Sequence, residues 1–196
     1  MSSKAFTRQV FGSPKAHVIF FIGGYQTQIK NYRLVYALMR LLGYQVYAYS
    51  LDSARVVTSD VTSYVRQVQA VVADIERVVV SLPASTAVYT MGNSLGSESA
   101  LQALKQIKRV RATVLVTVRG SVADFVWNTR EGSSYKTGYE RAGYTYRRLA
   151  RELAPIEPLQ NMQLIDGRPV SLYYAADDTI IPPVNTQLLI DALKDP

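Results

Sequence analysis

The chain has 196 residues, enough for one domain with a substantial core, and 48% of them are hydrophobic, as in an ordinary globular protein. It has no cysteine, which excludes disulfides, thiol catalysis and cysteine-based metal sites, and no run approaches the roughly 18 apolar residues of a membrane-spanning helix. Lysine and arginine number 22 against 15 acidic residues, a net charge of +7, yet no RNP, zinc-finger or glycine-rich phosphate motif points to specific nucleic-acid binding.

The first residues carry charge before any apolar signal core, so a cytoplasmic location is expected. Residues 6–11 read as an antiparallel edge strand. Residues 16–22 form a short apolar run ending in Gly23-Gly24, the signature of a buried strand. Apolar residues at helical spacing over 32–42 predict a helix that Gly43 terminates, and 45–50 are strand-like. Residues 61–80 repeat Val61, Tyr64, Val65, Val68, Val72, Ile75 and Val79, an amphipathic helix that Ser59 or Asp60 would cap. A strand over 86–91, a helix over 97–107 and a strand over 112–118 follow. Lys105, Lys108, Arg109 and Arg111 cluster at that helix end, where cations complement the helix dipole, and a solvated helix end is the expectation. Residues 121–168 break the rhythm with Trp127, several tyrosines and one helix over 144–153. They form either a small cap or a long crossover connection. A strand over 170–175 and a helix over 185–193 complete the series. Alternating strands and helices predict a three-layer α/β/α domain with a mainly parallel, doubly wound sheet.

Residues 92–96 read Gly92-Asn93-Ser94-Leu95-Gly96, a G-x-S-x-G pattern between a strand and a helix. Such a turn strains the serine backbone and lifts its hydroxyl above the sheet edge, and the flanking glycines let strand and helix approach closely. The same five residues also fit an ordinary turn that happens to hold serine; the flanking strand and helix favour a nucleophile elbow. A serine nucleophile needs a base, an orienting acid and oxyanion donors. An acidic turn, Asp177-Asp178, follows the strand over 170–175, at a strand's C-terminal end and after the serine in chain order. A solvated turn or a helix cap is the alternative reading of this pair.

With these parts in place the chain resembles the α/β-hydrolase superfamily over nearly its whole length. In that family the acid commonly sits in D-x-x-V/I-P, and Asp178-Thr179-Ile180-Ile181-Pro182 follows that pattern, favouring Asp178 over Asp177. Asp124, past the preceding strand, ranks second because it lacks that context. The resemblance makes Phe20-Phe21-Ile22-Gly23-Gly24-Tyr25 the oxyanion loop, with donors from the backbone N–H of Tyr25 and of Leu95, or from Gly24 if the register slips by one. It implies no metal or organic cofactor, and a small-molecule ester, thioester or amide as substrate. One departure is serious: the family's histidine follows the acid after one more strand, and the chain ends at Pro196 without either. The single histidine, His17, precedes Ser94 at the wrong end of its strand. Either the chain is a piece of a longer protein whose tail supplies the base, which the unfinished sheet edge favours, or the base is absent. As written, the chain is expected to be an impaired hydrolase, with a non-catalytic protein that binds a small ligand or partner as the alternative.

Overall fold

The apolar runs become the strands of one sheet. In the computed structural model, which describes residues 5–24, 27–52 and 60–194, these are β1 (Phe6–Phe11), β2 (His17–Ile22), β3 (Tyr44–Leu51), β4 (Ala87–Asn93), β5 (Val110–Val116) and β6 (Val170–Tyr173). Their order is β1-β3-β2-β4-β5-β6. Only β1 runs antiparallel, at the edge beside β3, as its sequence leads one to expect; the other pairs are parallel. Among the described residues β6 pairs with β5 alone and forms the opposite edge.

Side-chain alternation on β2 divides the core in two. Val18, Phe20 and Ile22 point to one face and join the larger cluster, while Ile19 and Phe21 point to the other. The larger cluster lies under α2 (Val61–Ser81) and α3 (Gly96–Gln106). Val61, Tyr64, Val68, Val72, Ile75 and Val79 of α2 are all buried, the stripe its 3.6-residue period dictates. The Asp60 carboxylate caps that helix by accepting from the Ser63 N–H at 3.0 Å, and Ser59 lies outside the described residues. On the second face α1 (Arg33–Leu41), entered through a 3₁₀ turn at Ile29–Tyr32, places Tyr36 against Phe21, with Val46 and Ala48 in the same cluster. The outer side of α1 leaves Leu34, Leu38 and Leu41 exposed.

Residues 121–168 hold four short helices rather than the one expected: α4 (Val122–Asn128), α5 (Ser133–Arg141), α6 (Tyr146–Leu153) and α7 (Pro158–Met162). Each has only one to three turns, too few for a periodic apolar stripe to show in sequence; α6 was visible because Thr145 caps it and Leu149 and Leu153 anchor it. The last helix, α8 (Pro183–Lys194), begins just after the acidic turn. Three of the four basic residues at the end of α3 make specific contacts, and the fourth, Arg111, is exposed. Lys105 donates to Asn161, Lys108 pairs with Asp166 at 2.6 Å, and Arg109 donates to the carbonyls of Val79, Leu82 and Pro83 at the end of α2. No helix among the described residues is long and apolar enough to cross a membrane.

Candidate active site

Ser94 stands between β4 and α3 with φ +49°, in the left-handed region that a residue with a side chain rarely adopts. The two motif glycines make that turn possible. A Cβ on Gly92 would meet the Ser97 backbone, and one on Gly96 would run into the carbonyl oxygen of Ile22 on β2. The turn is fixed by hydrogen bonds as well: the Ser94 N–H donates to the Val116 carbonyl at 2.8 Å, and the Ser97 N–H donates to the Ser94 carbonyl at 2.9 Å. The Ser94 side chain is half-buried. Leu95, the N-cap of α3, follows it, so its N–H lies outside the helix ladder.

The Gly23-Gly24 stretch passes directly over this turn. A Cβ on Gly24 would stand 3.2 Å from the Ser94 Cβ, tighter than ordinary packing, so glycine eases the close approach of the loop. The Gly23 N–H donates to the Tyr49 carbonyl, and the Tyr32 hydroxyl accepts from the Asn93 side-chain amide at 2.7 Å, tying the far end of the loop to the residue before the serine. Tyr25 lies outside the described residues.

Asp178 follows β6. Its Oδ1 accepts the N–H groups of Ile180 at 2.8 Å and Ile181 at 2.9 Å, a tight turn that orients the carboxylate. Ile180 and Ile181 line the cavity into which Ser94 opens, so the serine and the acidic turn border one space. Asp177 is exposed. Asp124 sits on α4, where its carboxylate accepts from Asn128 and from the Tyr146 hydroxyl. His17 pairs with Ala87 at the start of β4, between Tyr44 and Tyr89. Seven residues of β4 and its turn, about 20 Å of extended chain, separate that level from Ser94. The geometry thus brings together Ser94, Leu95, Gly24 and the Asp178 turn, and leaves His17 at the opposite end of the sheet.

The cavity itself measures about 100 Å³ and is mainly apolar, with Val122, Phe125 and Val126 of α4 among its walls. It also contains a charged group that the sequence does not reveal. Arg119, past the end of β5, donates from Nη2 to the Glu98 carboxylate at 2.6 Å and to the Tyr64 hydroxyl at 3.2 Å. Glu98 is fully buried on α3, and the Arg119 side chain is 10% exposed. Burial raises the Glu98 carboxyl above its ordinary value while Arg119 pulls it back down. Burial works against the Arg119 charge too, but Glu98 and Tyr64 outweigh it and hold the guanidinium protonated. The signal available in the sequence was a glutamate one turn past the elbow, on a helix that packs against the sheet; such a group needs a buried partner. Asn185 and Thr186 of α8 hold the segment before α4 in place: the Asn185 side chain accepts from the Gly120 N–H and donates to the Ser121 carbonyl, and the Thr186 hydroxyl donates to the Val118 carbonyl.

No protein-family model and no curated protein sequence matches the chain. Solved structures do resemble it. An acylaminoacyl peptidase from Pyrococcus horikoshii superposes with a TM-score of 0.68 at 18% identity, over 99% of this chain and 36% of that one. An esterase from Pyrococcus furiosus gives 0.63 at 17% identity, covering 92% and 68% respectively. An acetyl xylan esterase from Paenibacillus sp. R4 gives 0.68 at 13%, covering 96% and 79%. The chain therefore spans about a third of the length of the peptidase and most of the length of the two esterases. The strand order, the parallel sheet with its one antiparallel edge and these superpositions together show that the chain has the α/β-hydrolase fold.

Proposed function

We propose that this chain forms the core of a serine hydrolase that cleaves a carboxylic ester, thioester or amide of a small molecule. The observation that carries the reading is the strained serine: φ +49° at Ser94, enforced by Gly92 and Gly96, beside a cavity and beneath a glycine loop. Backbone strain of this kind persists where surrounding structure over-determines it, and it clusters at reactive sites. In the proposed reaction the Ser94 oxygen adds to the substrate carbonyl and its proton passes to a base. The N–H groups of Leu95 and Tyr25 hold the oxyanion. The alcohol, thiol or amine then leaves with that proton, and water adds to the acyl-enzyme to release the acid and regenerate Ser94. Asp178 orients the base. His17 lies too far away for that role, so the base in this reading comes from outside the 196 residues; the open side of β6, next to Asp178, is where a further strand would bring it.

The support for this reading includes the esterase and peptidase names of the structural neighbours, although their low identity carries the fold alone. A fluorophosphonate probe tests it directly. Labelling of the chain, lost in Ser94→Ala with an unchanged circular dichroism spectrum, is the expected result. No labelling above the Ser94→Ala background, even with added imidazole as a surrogate base, would favour the second reading, a fold that binds a small ligand without turning it over. That reading draws on the lack of a histidine beside Ser94 among the described residues.

A further inference from the structure

The cavity beside Ser94 has apolar walls and one charged group, and that charged group is only half used. Of the guanidinium nitrogens of Arg119, Nη2 carries both bonds, to Glu98 and to Tyr64. Neither Nε nor Nη1 has a hydrogen-bond partner among the described residues, neither is fully buried, and Arg119 lines the cavity. The Phe125 ring lies 5.6 Å from the guanidinium carbon and holds the fork in place from one side. A side chain nine-tenths buried, locked by an ion pair and an aromatic face, therefore presents donors to the same small space that the serine faces.

We propose that Arg119 reads an oxygen acceptor on a short acyl group, so that the preferred substrates carry a hydroxyl, keto or amide oxygen near the acyl carbon chain. The proposal rests on the reading of Ser94 as the acyl-accepting serine and deepens it. Three observations fix the chemistry. First, a volume of about 100 Å³ is smaller than the engineered cavity of about 150 Å³ that admits benzene, so the acyl chain is short. Second, a purely hydrocarbon chain would strip water from the free donors of Arg119 and give nothing back, whereas an acceptor oxygen replaces that water. Third, Glu98 already neutralises Arg119 at 2.6 Å, so a carboxylate in the cavity would be a second buried anion on one cation; a neutral acceptor carries no such penalty. The site thus favours an uncharged oxygenated acyl group over both a hydrocarbon one and a dicarboxylic half-ester.

Ligand binding separates this proposal from catalysis. The full chain is titrated with ethyl 3-hydroxybutanoate, ethyl butanoate and monoethyl succinate while the side-chain Nε–H signal of Arg119 is followed by NMR. That signal is assigned from its loss in the double variant Arg119→Met with Glu98→Leu, which removes both charges together so that neither is left buried alone. The hydroxy ester is expected to bind about tenfold more tightly than ethyl butanoate and to move the Arg119 signal, and the double variant is expected to lose the preference. Equal affinities for those two esters, tightest binding by monoethyl succinate, an Arg119 signal that none of the three moves, or a preference that survives in the double variant would each overturn it. If the double variant does not fold, the ranking and the Arg119 signal of the native chain decide alone. A preference for the hydroxy ester together with no phosphonate labelling of Ser94 would overturn the hydrolase reading and reduce this proposal to an Arg119 ligand site without acyl transfer; labelling without the preference would overturn this proposal and leave the hydrolase reading standing.

Discussion

Ser94 stores energy in its backbone. A residue with a Cβ held at φ +49° gives up on the order of 1 kcal/mol relative to glycine. Ser94→Ala and Ser94→Gly should both abolish phosphonate labelling, but the glycine variant should be the more stable of the two by about 1 kcal/mol in urea denaturation. Equal stabilities would mean that the turn holds no strain. The turn was legible in sequence because its glycines leave no choice: the positions that a Cβ would block are Gly92 and Gly96, the two that define the motif. The Arg119–Glu98–Tyr64 cluster was not legible. Its members come from the end of β5, from α3 and from α2, and only the folded sheet brings residues 55 positions apart into hydrogen-bond range. The same holds for Asn93 and Tyr32, which are 61 positions apart.

The short helices of residues 121–168 depend on polar contacts as much as on apolar ones. Glu157, the N-cap of α7, is buried, and its Oε1 accepts the Ala123 N–H of α4, so one carboxyl joins the first and last helices of the insertion. Among the described residues its other oxygen has no hydrogen-bond partner. Burial pushes the carboxyl up to about 7, against the smaller opposing pull of the Ser121 hydroxyl and the Ala123 N–H. The folded state therefore holds this proton more tightly than the unfolded chain does. The stability it confers is complete below the ordinary glutamate range and is lost as pH rises toward 7, a difference of about 3 kcal/mol. Buried Glu98, also raised, adds to the same slope. Unfolding free energies measured between pH 5 and 8 should fall with pH, and Glu157→Gln should flatten the curve and exceed the native chain at pH 8. An identical slope in the variant would remove Glu157 as its source. Strand positions were easier to read than this region: β2 is an apolar run that ends in Gly23-Gly24 and β4 a mostly apolar one that leads into Gly92, whereas α4, α5 and α7 span at most nine residues each and take their place from contacts that sequence does not display.

The two faces of the sheet are covered unequally. The larger core fills one face, where α2 and α3 bury residues from β2, β4 and β5. On the other, the described helix is α1, whose cluster draws on β2 and β3 and reaches β4 only through the half-buried Tyr89 and Met91; Val114 and Val116 of β5 remain half-buried beyond it. With Leu34 87% and Leu41 85% exposed, the outer side of α1 presents apolar side chains to solvent. The native chain should accordingly bind the dye anilinonaphthalene sulfonate while its near-ultraviolet circular dichroism stays intact. Leu34→Glu with Leu41→Glu should lower that fluorescence without lowering the unfolding free energy by more than about 1 kcal/mol. Dye binding that is absent, or unchanged in the double variant, would contradict the exposure. A second asymmetry lies in the strands. Ser94 follows β4, which has a partner on each side, and Asp178 follows β6, which among the described residues has a partner on one side only. The two residues therefore keep different time: Ser94 is released only when the middle of the sheet opens, while Asp178 moves each time a single edge strand frays. Under the proposed roles, a segment that paired with the free side of β6 would lengthen the time Asp178 stays in register with Ser94, and so would tune the site without touching either residue.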